Sequence, residues 1–105
     1  MTAKLEIKDL FKIVKDKITQ EEAGSYSYEL AKSGLDKVTR KVGEEALEVV
    51  IAAFLNEKNP DQKNKEDLTG EICDLIYHTL VLMARENVEL DAILEEFEKR
   101  NNRYK

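Results

Sequence analysis

An all-α fold, an antiparallel bundle of four to five helices, is what the sequence predicts, on three observations. The chain has one proline and four glycines in 105 residues, too little punctuation for a sheet protein with its frequent turns. Its apolar residues recur at spacings of three and four, the period of an amphipathic helix. Two long helical segments flank one short polar, proline-bearing stretch, an arrangement that makes them antiparallel neighbours. A chain of this length makes one domain, residues 1–105.

The first helix is expected from about Leu5 to Thr19, with Leu5, Leu10, Ile13, Val14 and Ile18 along one side. A break around Ala23-Gly24-Ser25 precedes a short helix that holds Tyr28, Leu30 and Ala31 and stops at Ser33-Gly34. The second long helix should run from Leu35 or Asp36 to Asn56 and the third from about Asn64 to Glu86, joined by Glu57 to Lys63 as an exposed connection. A last helix, about Asp91 to Arg100, carries Ile93, Leu94 and Phe97 on its apolar side. Its basic end, Lys99 to Lys105, is what a helix dipole ordinarily favours.

Both long helices have more apolar surface than one side of a helix needs. Leu75-Ile76-Tyr77 through Ala84 is apolar on nearly every side, and Val49 through Leu55 shows the same excess. A tight monomer core is one explanation. A small chain can hardly bury every face of two helices, however, so a subunit interface is preferred: a homodimer through the central helices, with pairing of dimers left open.

Composition narrows the function classes. A net charge of −5, from 22 acidic and 17 basic residues, argues against broad nucleic-acid binding and requires a local cation for any anionic substrate. The single cysteine, Cys73, excludes an intrachain disulfide or a cysteine-rich zinc site. No apolar run approaches the roughly 20 residues of a membrane helix. The expectation is a cytoplasmic protein.

Two acidic clusters, Glu44-Glu45-x-x-Glu48 and Glu71-x-x-Asp74, lie in the most apolar parts of the chain, where an unpaired charge is costly. Residues three apart share a helix face, so Glu45 and Glu48 point one way from their helix, as do Glu71 and Asp74 from theirs. At about 100° per residue, Lys37, Lys41, Glu44, Glu45 and Glu48 form one stripe, and Glu71, Asp74 and His78 another. A solvated face with lysine pairs is the plainer explanation, but lysine N-terminal to glutamate is the weaker orientation, and the second cluster has no cation at helical spacing. Packed antiparallel, the clusters would offer Glu45, Glu48, Glu71 and Asp74 to a divalent cation.

Ligation by oxygens alone favours magnesium, with manganese possible, over zinc. A di-iron bundle is the rival, but it uses Glu-x-x-His pairs where this chain has Glu71-x-x-Asp74. Lys37 and Lys41 are candidates to bind substrate phosphates, or else to pair with the acids. His78 is either a donor behind Asp74 or a core residue, and Tyr26 and Tyr28 either stack on a base or pack internally. Gly43 and Gly70, each just before a cluster, suggest close approach of a backbone or of substrate.

Glu44-Glu45-x-x-Glu48 followed by Glu71-x-x-Asp74 resembles the signature of the MazG-like all-α nucleoside triphosphate pyrophosphohydrolases. More narrowly, Gly24-Ser25-Tyr26, Lys32 to Lys37, Lys41 to Ala46, Glu48 to Ala53 and Asp74 to His78 are similar to the phosphoribosyl-ATP pyrophosphatase family. The resemblance covers about Gly24 to Glu86. It implies magnesium-dependent hydrolysis of phosphoribosyl-ATP to phosphoribosyl-AMP and pyrophosphate, a step of histidine biosynthesis. It also matches Glu45, Glu48, Glu71 and Asp74 to metal ligands and Glu44 to the remaining acid of the signature, the candidate catalytic base. Two alternatives stay open: a house-cleaning hydrolase of nucleoside triphosphates, and a helical assembly module without catalysis.

Overall fold

The structure, a computed structural model, describes residues 4–105. It is all-helical: α1 (Ile7–Thr19), α2 (Tyr26–Lys32), α3 (Leu35–Lys58), α4 (Gln62–Arg85) and α5 (Leu90–Arg100), followed by a 3₁₀ turn at Asn101–Tyr104. Among the described residues there is no strand, and no helix is long and apolar enough to cross a membrane.

Local chemistry sets each boundary. The Glu6 N–H donates to the Asp9 carboxylate at 3.0 Å, so α1 begins after Leu5 and leaves that residue exposed outside the helix. The ends of α1 and α4 close in the same way, with a left-handed residue after the last turn. Glu21 (φ 50°) lets the Glu22 N–H reach the Lys17 carbonyl, and Asn87 (φ 58°) lets Val88 reach Met83. Ser25 opens α2 by accepting from the Tyr28 N–H at 3.2 Å. Gly34, at φ 111°, links α2 to α3 in a conformation that a side chain would disfavour.

The connection between the long helices is only Asn59–Asp61, shorter than the expected Glu57 to Lys63. Asp61 accepts from the Asn64 N–H at 2.8 Å and starts α4 early, while the Asn64 side-chain amide donates to the Asn59 carbonyl at 2.7 Å. One asparagine thus joins the end of α3 to the start of α4. Such a short turn forces the helices antiparallel and side by side along their length.

The core lies at one end of this hairpin. Val14, Leu30, Ala31, Val38 and Val81 form one buried cluster, and Phe11, Leu80 and Met83 form another, against which Leu90 and Ile93 of α5 pack. On α1 the buried stripe is Phe11 and Val14 flanked by Leu10 and Ile18, whereas the expected Ile13 is exposed; Ile13 falls off the arc these four share. The remaining length of the α3/α4 hairpin is an arm in which Ala52 alone is buried. Leu47, Val50, Ile51, Phe54, Leu55, Ile72 and Ile76 are exposed there, so the monomer core does not absorb the apolar excess of α3, whereas it takes up most of the Leu75 to Ala84 run of α4, with Leu80, Val81 and Met83 buried.

Val81 is fully buried where α1, α2, α3 and α4 meet. Val81→Ala is expected to cost about 2–3 kcal/mol, as lost burial plus a residual cavity. Urea denaturation of the variant beside the parent chain measures it.

Candidate active site

The α3/α4 hairpin brings the two acidic clusters to the same height above the turn. Oxygens of Glu45, Glu71 and Asp74 lie within 4.8 Å of one another, the only such group of metal-capable side chains among the described residues. Glu48 is not part of that trio. It lines the adjoining cleft of about 330 Å³ with Glu71, Asp74, Asp67 and Gly70, one helical turn nearer the arm's tip than Glu45. The carboxyl of Glu71 is held above its ordinary range, first by desolvation and then by the negative charges of Glu48, Asp74, Glu45 and Asp67. Four neighbouring carboxylates therefore act on Glu71, two of them, Glu45 and Asp74, in near contact with it.

Lys41 stands at the core side of the trio, 3.3 Å from Glu45 and 3.6 Å from Glu44. Its pKa is raised, chiefly by the hydrogen bond to Glu45, with Tyr26 and Glu44 contributing, so it remains a cation. The Glu45 side chain is 13% exposed and that of Glu44 54%, which separates the two neighbours: Glu45 turns into the group and Glu44 toward solvent. Lys37 lies outside the carboxylate group and lines a second cleft with Lys41, Tyr26, Glu29 and Leu30. Of the two expectations for the lysines, pairing with the acids is met by Lys41.

His78 is buried at 7% exposure with both ring nitrogens engaged. The Asp74 carbonyl can only accept, so Nδ1 donates to it at 2.7 Å and Nε2 accepts from the Tyr26 hydroxyl at 2.9 Å. Beside this pair, the Tyr77 and Ser27 hydroxyls share a hydrogen bond. The sequence singles out Tyr26 and His78 separately, but their pairing spans 52 positions and has no local signature. Tyr28 lies elsewhere, under the Lys32 ammonium at 5.6 Å. A Cβ added at Gly43 or Gly70 would meet nothing within 4 Å, so neither glycine admits a neighbouring backbone of this chain. Gly70 lines the cleft of Glu48, Glu71 and Asp74.

A helical hairpin that converges carboxylates from two helices, with lysines on one flank, has the layout of an all-α pyrophosphohydrolase. The particular family follows from comparison with known proteins: residues 7–101 match the phosphoribosyl-ATP pyrophosphohydrolase family, and the chain belongs to it. A relative from Clostridium acetobutylicum, named phosphoribosyl-ATP pyrophosphatase, is 44% identical over 90% of this chain and 79% of its own length. Relatives of the same name from Clostridium botulinum and Listeria monocytogenes are 47% and 46% identical, each over 92% of this chain and over 82% and 86% of their own lengths.

The raised pKa of Glu71 carries a stability consequence with a definite sign. A carboxyl whose folded pKa lies above its unfolded one favours the fold while protonated, and that contribution is lost as pH rises through the folded value. Glu71→Gln is therefore expected to raise the melting temperature of the metal-free chain at pH 7. The difference should shrink to nothing near pH 3.5, about a unit below the ordinary glutamate range. Thermal melts in chelator at the two pH values check both halves.

Proposed function

We propose that this chain hydrolyses phosphoribosyl-ATP, with water cleaving the anhydride between the α and β phosphates to leave phosphoribosyl-AMP and pyrophosphate, in the cytoplasmic synthesis of histidine. The observation that carries the reading is the convergence of Glu45, Glu71 and Asp74 on a chain of this family. An all-oxygen donor set suits magnesium, or manganese in its place, and the neighbouring negative charges that, after desolvation, raise the Glu71 pKa are what a bound cation would offset.

Glu45, Glu71 and Asp74 would hold the ion, with Glu48 adding negative charge from the next turn of α3. Magnesium bound there supplies neutralisation of triphosphate charge and a more acidic water. Lys41 and Lys37 set fixed positive charge beside the phosphates and orient them as point cations. Glu44, exposed next to Lys41, is assigned as the base that takes a proton from the attacking water. The stripe of α3 thus divides its work by exposure, with the sheltered acid as ligand and the open one as base.

The arm implies a second copy. Phe54 is 72% exposed at the centre of an apolar strip with Val50, Ile51 and Leu55, more than an isolated small chain is expected to leave to water. A homodimer through α3 and α4 covers it, and a dimer of dimers would extend the same logic.

Purified protein with magnesium is expected to release pyrophosphate from phosphoribosyl-ATP in preference to dCTP or dUTP; a preference for the latter two would replace this reading with that of a general nucleotide hydrolase. Asp74→Asn and Glu45→Gln should each lower turnover by more than about a hundredfold while retaining helical content, since even partners behind a metal ligand cost 10- to 100-fold. Phe54→Lys should sediment at the monomer mass at concentrations where the parent chain sediments as a larger species.

A further inference from the structure

The Tyr26–His78 pair lies outside the carboxylate trio, yet Tyr26 lines the cleft that Lys41 borders. The Tyr26 residue is 52% exposed, although its hydroxyl is tied at 2.9 Å to a histidine that is almost fully buried. A surface tyrosine left to itself turns its polar end to water and its ring inward. This one does the reverse, with its hydroxyl anchored inside and its ring presented. Tyr77 backs it, with ring centroids 6.1 Å apart at 25°, and the Tyr77 hydroxyl is in turn held by buried Ser27. Holding a half-exposed ring in one place has little to offer folding; it pre-organises a contact surface.

The ring occupies a particular place. Tyr26 lines the cleft with Lys37 and Lys41, and Lys41 reaches the carboxylate group through Glu45 at 3.3 Å. With phosphates at the carboxylates and Lys41, the cleft that Lys41 shares with Tyr26 is within reach of the sugar and base. Aromatic faces are general partners of bases because every base has a π face.

We infer that Tyr26 is a substrate-contact residue on which the purine nucleoside of the substrate packs, and that His78 is the positioning residue that holds its ring in place. The inference rests on the proposed activity for the identity of the substrate. His78 also joins the two halves of the site: its Nδ1 donates to the backbone carbonyl of Asp74, so one imidazole spans the metal-facing helix and the base-facing ring.

The test has two arms, the KM for phosphoribosyl-ATP and calorimetric binding of the magnesium complex of adenosine α,β-methylene triphosphate. Tyr26→Ala is expected to weaken both about tenfold, with Mn²⁺ affinity in the absence of nucleotide unchanged and kcat reduced less than KM rises. His78→Leu, which removes the acceptor, should raise KM, whereas His78→Gln, which keeps one, should restore it to within about twofold of the parent. Tyr26→Phe combined with His78→Leu should be no worse than either alone, because both cut the same link. Analogue affinity of Tyr26→Ala within twofold of the parent overturns the inference, as do multiplying effects of Tyr26→Phe and His78→Leu, or no binding of the analogue by the parent chain. If His78→Leu fails to fold, Tyr26→Ala decides alone. Failure of the parent chain to turn over phosphoribosyl-ATP overturns the proposed activity instead, and the calorimetric arm still decides the role of Tyr26.

Discussion

Negative charge gathered between two helices that must stay packed is the constraint under which the rest of this structure operates. Desolvation, and then the negative charges of Glu48, Asp74, Glu45 and Asp67, hold the Glu71 carboxyl above its ordinary range. The hairpin tolerates this because both its ends are secured. At the tip, the Asn59–Asp61 turn is capped by Asp61 and bridged by Asn64; at the base, Val38 and Val81 are locked into a core with α1 and α2. Lys41 offsets part of the charge from the core side through its pair with Glu45. Stability elsewhere thus holds open a site that is unfavourable when empty, a common relation between function and fold.

The placement of the core follows from this division. Large buried side chains concentrate where α1, α2, the start of α3 and the end of α4 meet, and they leave the arm with almost no buried residue of its own. A rigid base with a two-helix arm gives the acids partial shelter without sealing them from a triphosphate. It also places Tyr26, at the first position of α2, where a core helix meets the open cleft. The hydrogen bond from its hydroxyl to His78 ties that wall of the cleft to the core.

Local patterns made much of this legible, and particular residues show why the rest was not. The acid spacing on each helix gave the two faces, and the polar, proline-bearing link gave the antiparallel pairing, because both depend only on helical period and connection length. The period also explains Phe11, whose burial beside Val14 follows from the arc it shares with Leu10 and Ile18 once α1 is seen to start at Ile7. The extent of the turn was harder. Glu57, Lys58, Gln62 and Lys63 are as polar as a loop, yet capping by Asp61 and Asn64 makes all four helical, and a cap is a matter of geometry between residues. Gly43 and Gly70 suggested close approach of a backbone or of substrate; no neighbouring part of the described chain comes within 4 Å of an added Cβ at either, and Gly70 borders the cleft of the acids.

By itself the sequence determined the helices, the two faces that carry acids, and the family, since each is written in spacing and residue type along the chain. Only the tertiary structure decided which carboxylates meet. Glu45 joins Glu71 and Asp74 while Glu48 stands a turn away, because the offset between two packed helices is set by their three-residue connection and by core packing at the far end. It also decided that Glu44 faces solvent while Glu45 does not, and that His78 holds Tyr26 across 52 positions. These are distances between elements, and a helical period, which specifies only direction from an axis, contains none of them.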